Sequence, residues 1–235
     1  MKALILNSGL GSRMGDIQTC KCLVEIAKGQ TIVDLQIQAL SKCGITDICM
    51  TTGPYAGRLE AYLREGYPAA NFQFVNNPRY NETNYIYSIF LAKDELQEDI
   101  LMLHGDLLFE TSLLQEIINY KHSAMAIDTT KPLPEKDFKA VLENGKISKV
   151  GVEFFDNAVY SQPLYKLLWQ DWQVWLKQIE KFCNNGNTRV YAENALNEVS
   201  NKMNIKPLDA LGRLCFEVDN AEDLAYARSS GIIDL

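Results

Sequence analysis

LILNSGLGSRMGDIQTCKCL, residues 4–23, is the stretch that decides the fold. Four apolar or strand-compatible residues run into Asn7, and a turn holding Gly9 and Gly11 follows at once, with Ser12, Arg13 and Lys21 downstream. Glycines lack a Cβ, so backbone N–H groups there can approach an anion closely; Arg13 would add a fork of donors and Lys21 a point charge. That is the pattern of a phosphate cradle at the end of a buried strand. The same letters also describe a tight strand-to-helix turn with solvated charges. The spacing is neither the GxxxxGK[ST] loop nor the GxGxxG fingerprint.

Working outward, strand-length apolar runs alternate with helix-period segments through the first half of the chain. KALILN is followed by TIVDLQIQALSKCG, in which Ile32, Leu35, Ala39 and Leu40 share a face and Gly44 is the stop. DICMTT, AGRLEAYLREG, FQFVNN, YIYSIFLAKDEL, DILMLHGD and SLLQEIINYKH continue the alternation. Continuously apolar strands such as Ile100 to Leu103 suit a sheet covered on both faces, with ligands beyond the carboxyl ends of its strands. The expectation is an α/β fold with a mostly parallel, Rossmann-like sheet and helices on both faces.

After residue 124 the period shifts to two. Asn144-Gly145 between KAVLE and KISKV predicts a hairpin. NAVYSQPLYKL reads as a strand or edge strand broken at Pro163, helices are expected over about 169–183 and 189–201, and a last strand and helix close the chain. The expected organisation is one domain over 1–235, with 1–123 and 213–235 as core and 124–212 as an inserted α+β subdomain.

Composition narrows the function. With 30 acidic against 23 basic side chains, the net charge of -7 argues against nucleic acid or an anionic membrane as partner. The apolar start is too short for a signal peptide and no run approaches a bilayer span, so a cytoplasmic protein acting on small molecules is expected. Six cysteines without a CxxC pair, and just two histidines, His104 and His122, argue against structural zinc and for reduced thiols.

Two carboxylates stand at the ends of apolar runs. Asp106 follows Gly105 in ILMLHGDLLFE, where Mg²⁺ would find a ligand beside substrate phosphates, or where a turn would simply favour Asp. Asp219 in CFEVDNAEDLAYA is either a second such ligand or, with Glu222, a capping box opening the last helix.

These motifs together resemble the nucleotidyltransferases of the sugar-phosphate and choline-phosphate type, whose signature is G-x-G-[ST]-R-[ML] followed by a lysine. The resemblance covers the first 106 residues and the last 20 or so. It implies a GT-A-like fold in which Gly9, Gly11, Ser12, Arg13 and Lys21 wrap a triphosphate, with Leu6, Asn7, Ser8, Gly53, Gly105 and Asp106 completing the nucleotide site. Arg13, Lys21 and Asp106 would be catalytic. The similarity of Glu217-Val218-Asp219 to the family's closing E-[IV]-D-x-x-E-D-L makes Asp219 the second Mg²⁺ ligand beside Asp106. Asn7-Ser8 stands where the family has two small residues, and Cys20-Lys21-Cys22 where it has proline on each side of the lysine. Those cysteines are read as packing, and Asn7 as a contact to base or ribose. Leu108, where glycosyltransferases place the second Asp of D-x-D, counts against glycosyl transfer.

NPRYNETNYIYSIFLAKDEL, residues 77–96, resembles the N-x-x-Y-x-x-x-N-x-x-S-x-x-x-A segment of bacterial choline-phosphate cytidylyltransferases and their relatives. It implies that Asn84 and Ser88 face an acceptor at a helix N-terminus; a plain Asn cap is the alternative. In the insertion, Trp169, Trp172, Leu176, Ile179 and Cys183 fall at helical spacing and read as core, which leaves Tyr160, Tyr165 and Glu193 as acceptor-pocket candidates. The leading expectation is Mg²⁺-dependent transfer of CMP from CTP to a small phosphomonoester, phosphocholine-like or phosphoglutamine-like, within cell-surface polysaccharide biosynthesis. A sugar-1-phosphate nucleotidyltransferase using UTP or dTTP, and a non-catalytic nucleotide-binding regulator, are the alternatives. A homodimer is among the expectations for assembly.

Overall fold

The computed structural model describes residues 1–9, 11, 19–27 and 29–230. The chain begins with β1 (Lys2–Asn7), a small ribbon of β2 (Glu25–Ala27) and β3 (Gln30–Thr31), and then α1 (Ile32–Lys42). Thr31 and Asp34 form a capping box at the start of α1, and Gly44, at φ +77°, takes the left-handed conformation just beyond its end. β4 (Asp47–Thr52), α2 (Ala56–Gly66), β5 (Asn71–Asn76), α3 (Tyr85–Ala92), β6 (Ile100–His104), β7 (Leu107–Phe109) and α4 (Thr111–Asn119) follow. The rest comprises β8 (Ala124–Asp128), β9 (Lys139–Glu143), β10 (Lys146–Gly151), β11 (Ala158–Leu167), α5 (Trp169–Asn184), α6 (Ala192–Val199), β12 (Lys206–Asp209), β13 (Cys215–Glu217) and α7 (Ala221–Ser229).

Among the described residues, nine strands form one sheet in which β5, β4, β1 and β6 are parallel neighbours, β12 runs parallel to β8, and β11 is antiparallel to its partners. Alternate side chains of β1 explain the layering. Ala3 and Ile5 enter a core with α1, α2 and α4, while Leu4 and Leu6 enter the opposite core with α3, α5 and α6. With period-two alternation and both faces covered, the central positions Ala3 to Leu6 must all be apolar. Ile5 has no exposed surface, so Ile5→Ala would cost about 2–5 kcal/mol.

The second half of the chain is woven into this sheet. β8, β11 and β12 extend it, so the boundary expected at residue 124 falls where strands of the same sheet begin. The hairpin forms as expected, β9 pairing with β10 across Asn144 and Gly145 at φ 51° and 68°. β11, in contrast, is no edge strand: it bonds β6, β8 and β9, and Pro163 is accommodated where its register with β8 shifts, since proline has no N–H to offer a regular ladder. Trp172 and Trp175 are fully buried, their indole N–H groups donating to Leu96 O and Ala192 O at 2.9 Å each. The helix expected from 189 starts later, at Ala192.

Candidate active site

A cleft of about 410 Å³ opens at the carboxyl ends of β1 and β6, walled by the 80–85 and 136–138 segments, Tyr191 and the end of β13. Its floor depends on two glycines. A Cβ on Gly105 would stand 1.7 Å from Asn7 Oδ1, and one on Gly53 would stand 2.4 Å from Ser8 O. A side chain at Gly53 would collide with backbone, and one at Gly105 would displace the Asn7 side chain, so both glycines serve close approach. Ser8 Oγ shares a hydrogen with Ser88 Oγ at 2.7 Å, and Asn77 Nδ2 donates to Ser88 Oγ at 3.0 Å, which ties the loop after β1 to α3.

The charged wall is built by a short ribbon. β13 pairs antiparallel with β7, and Val218 N–H donates to Asp106 O, so the carboxyl end of β6 and the 217–219 segment lie side by side. Lys21 reaches across both, its Nζ donating to Asp106 Oδ2 and Asp219 Oδ1 at 2.6 Å each. Burial alone would lower the lysine's pKa, but Asp106 and Asp219 outweigh it and raise it. Burial likewise opposes ionisation of Asp106, and the Lys21 charge overcomes it and lowers that pKa.

A second pair lies beside the first. His104 Nδ1 and Glu217 Oε1 are 2.8 Å apart. Burial disfavours the charged imidazole, yet Glu217 raises it to about 9; burial and Asp106 push Glu217 up to about 7. One ligand atom from each of His104, Asp106 and Glu217 lie within 4.8 Å of one another. The oxygen donors of Asp106, Asp219 and Glu217 are of the kind Mg²⁺ takes, and the Lys21 ammonium sits between two of them.

The opposite wall is aromatic. Tyr191 packs edge-on to Phe138 at 5.1 Å between ring centroids and lies 5.9 Å from Tyr85, whose ring meets His104 at 4.8 Å. Beneath it, the hydroxyls of Tyr85 and Tyr165 both donate to Glu193, the latter at 3.0 Å.

Of the residues expected from sequence, Leu6, Asn7, Ser8, Gly9, Gly11, Lys21, Asn84, Asp106 and Asp219 line this cleft. Ser12 and Arg13 lie outside the described residues. Gly53 and Gly105 shape the floor from behind. Ser88 is spent on Ser8 and Asn77, below the surface. Tyr165 and Glu193 are 0% and 1% exposed, so they support the aromatic wall from underneath instead of facing an acceptor. Tyr160 lies off the cleft, with Lys131 Nζ 5.7 Å from its ring centre. The capping reading of Asp219 is corrected: the helix cap is Asn220, which accepts from Glu222 and Asp223 N–H while Asp223 returns the bond. Asp219 turns its carboxylate to Lys21.

The sequence reading missed His104, Glu217, Tyr85, Phe138 and Tyr191. For the first two a signal existed. His104 and Glu217 each precede a key aspartate by two residues, and alternation along a strand puts i and i+2 on one face. Among the described residues, neither Asn7 Nδ2 nor His104 Nε2 has a hydrogen-bond partner.

Comparison with known proteins identifies the family. The chain is 32% identical over 160 residues to the CTP:phosphoglutamine cytidylyltransferase of Campylobacter jejuni, covering 64% of this chain and 62% of that one. It is 32% identical over 119 residues to the choline-phosphate cytidylyltransferase of Streptococcus pneumoniae, covering half of each. The chain thus spans about half to two thirds of these relatives' lengths. The inositol-1-phosphate CTP transferase from T. maritima superposes with a TM-score of 0.82 over 98% of this chain and 95% of that one, at 20% identity, a likeness of fold. Residues 3–187 match the model of the MobA-like NTP transferase domain, and the chain belongs to that family.

Proposed function

We propose that the protein transfers CMP from CTP to a small phosphomonoester and releases pyrophosphate. The observation that carries this reading is Lys21 held between Asp106 and Asp219 in the cleft, a cation and two carboxylates poised where a triphosphate and its counter-ion would meet. The names of the relatives support CTP as donor and phosphocholine-like or phosphoglutamine-like compounds as acceptors. Mg²⁺, bound by Asp106, Asp219 and Glu217, would neutralise charge on the triphosphate.

The chain's own part is positioning and electrostatics. The Lys21 ammonium, held beside Asp106 and Asp219, would stabilise charge at the α-phosphate. Arg13, by its place in the glycine-rich loop, would hold the outer phosphates. An acceptor phosphate oxygen attacks the α-phosphorus and the bond to the β-phosphate oxygen breaks. No general base is required, because the attacking oxygen is already anionic. Asn84, at the N-terminus of α3, and the wall of Tyr85, Phe138 and Tyr191 would hold the acceptor.

The test is pyrophosphate release with Mg²⁺, each of the four NTPs, and phosphocholine, phosphoethanolamine, phosphoglutamine or hexose 1-phosphates. Release with CTP and a non-sugar phosphomonoester is expected. Release confined to UTP or dTTP with sugar phosphates would overturn the proposal, as would CTP binding without release in any pairing.

A further inference from the structure

The two cysteines flanking Lys21 face each other. Cys20 has extended backbone (φ −61°, ψ 135°) and the 3-10 turn Lys21–Leu23 follows, a bend that leaves the two Sγ atoms 3.2 Å apart. We propose that Cys20 and Cys22 are an oxidation site, a dithiol that closes to an intrachain disulfide and thereby pulls Lys21 away from Asp106 and Asp219. The consequence for catalysis rests on the function proposed above; the thiol chemistry does not.

A disulfide is about 2.05 Å long, so the sulfurs must approach by roughly 1.2 Å, and with one residue between them that movement falls on Lys21. Its two bonds at 2.6 Å are charge-assisted and sensitive to displacement. Both thiols are buried, but Cys20, 4% exposed, lines the cleft, whereas Cys22 has no exposed surface. The hydrogen bond from Cys22 also lowers the Cys20 pKa, while burial pushes Cys49 and Cys183 up to about 12 and 11. With hydrogen peroxide as oxidant, the Cys20 sulfur takes one peroxide oxygen to become a sulfenic acid and the other oxygen leaves as water. The Cys22 sulfur then attacks the Cys20 sulfur, a second water leaves, and two thiols have lost two protons and two electrons to one peroxide.

The experiment treats the native protein with graded hydrogen peroxide, blocks remaining thiols, and reads intact mass, peptide map and pyrophosphate release together. We expect loss of two hydrogens confined to the peptide holding Cys20 and Cys22, and none in Cys22→Ser. Transfer should fall on the order of 10²-fold in the closed form, in step with its fraction, and return with dithiothreitol. No disulfide at peroxide levels that oxidise glutathione would overturn the site; a disulfide with unchanged turnover would overturn the displacement of Lys21. If the protein transfers no nucleotide at all, the mass result still decides the dithiol, and only the functional reading fails.

Discussion

The two walls of the cleft are built by different rules. The charged wall comes from strand ends, where His104 and Asp106 leave β6 and Glu217 and Asp219 leave β13, locked together by the β7–β13 ribbon. The aromatic wall is assembled from Tyr85 at the start of α3, Phe138 before β9 and Tyr191 before α6, three segments far apart in the chain. The first arrangement fixes charge to within a hydrogen bond. The second holds rings at contact distances that tolerate exchange. On the proposed function, chemistry shared across a family would belong on the first wall, and discrimination among acceptors on the second.

The strongest way to break this comparison is on the charged wall. Asp106→Ala should lower kcat on the order of 10³-fold while circular dichroism stays unchanged, because the residue contributes charge at the site and little packing. Turnover near wild type would show that the metal and Lys21 do not work through this carboxylate. A loss of the same size from Tyr191→Ala would erase the distinction between the walls.

The charged wall should also make stability depend on pH. In the fold the His104 pKa is raised to about 9, so the stabilisation it contributes is complete below its ordinary value of 6.5 and is lost as pH rises through 9. Glu217, raised to about 7 from 4.5, acts with the same sign over that lower window, since burial favours its protonated form. Stability should therefore fall from mildly acidic pH toward pH 9, by about 3 kcal/mol for the His104 shift, with Glu217 acting in the same direction. Glu217→Gln removes the charge that raises His104 and should flatten the curve above pH 7. A Glu217→Gln profile parallel to wild type would disprove the coupling.

Lys21, Asp106 and Asp219 of the charged wall were singled out through the resemblance of their motifs to the nucleotidyltransferases; the residues alone left a tight turn or a helix cap open. The apolar strands were readable from the residues themselves: Leu4 to Leu6 and Ile100 to Leu103 have no polar alternation because both faces are covered. The places where sequence misled are those decided by tertiary pairing. Pro163 argued for an edge, yet β11 lies inside the sheet because its ladder shifts there. Tyr165 and Glu193 carried pocket chemistry, yet packing turned them under the wall, where two tyrosine hydroxyls satisfy a buried carboxylate. Nothing in the letters says which of several aromatic residues will meet across 50 or more intervening positions.

That buried carboxylate links the walls. Tyr85→Phe keeps the ring facing His104 and removes one of the two hydroxyls serving Glu193, so it should cost about 1–2 kcal/mol of stability with little change in KM. Denaturant unfolding beside acceptor kinetics separates the two outcomes. An unchanged midpoint would mean that Tyr165 alone satisfies Glu193.

The smallest expected effect is the one that sharpens the acceptor assignment. Tyr191 is 40% exposed and rests on Phe138 and Tyr85 through ring contacts, so its removal should leave stability almost untouched. If the acceptor carries a cationic head, that ring contributes about 0.5–1 kcal/mol through its π face, and Tyr191→Ala should raise the acceptor KM about two- to fivefold at constant kcat and constant KM for CTP. Tyr191→Phe should restore the wild-type value, because the attraction needs the ring and not the hydroxyl. A neutral polyol phosphate should feel neither substitution. Equal sensitivity of cationic and neutral acceptors would reduce the aromatic wall to a steric boundary and move acceptor choice to Asn84 and the 136–138 segment.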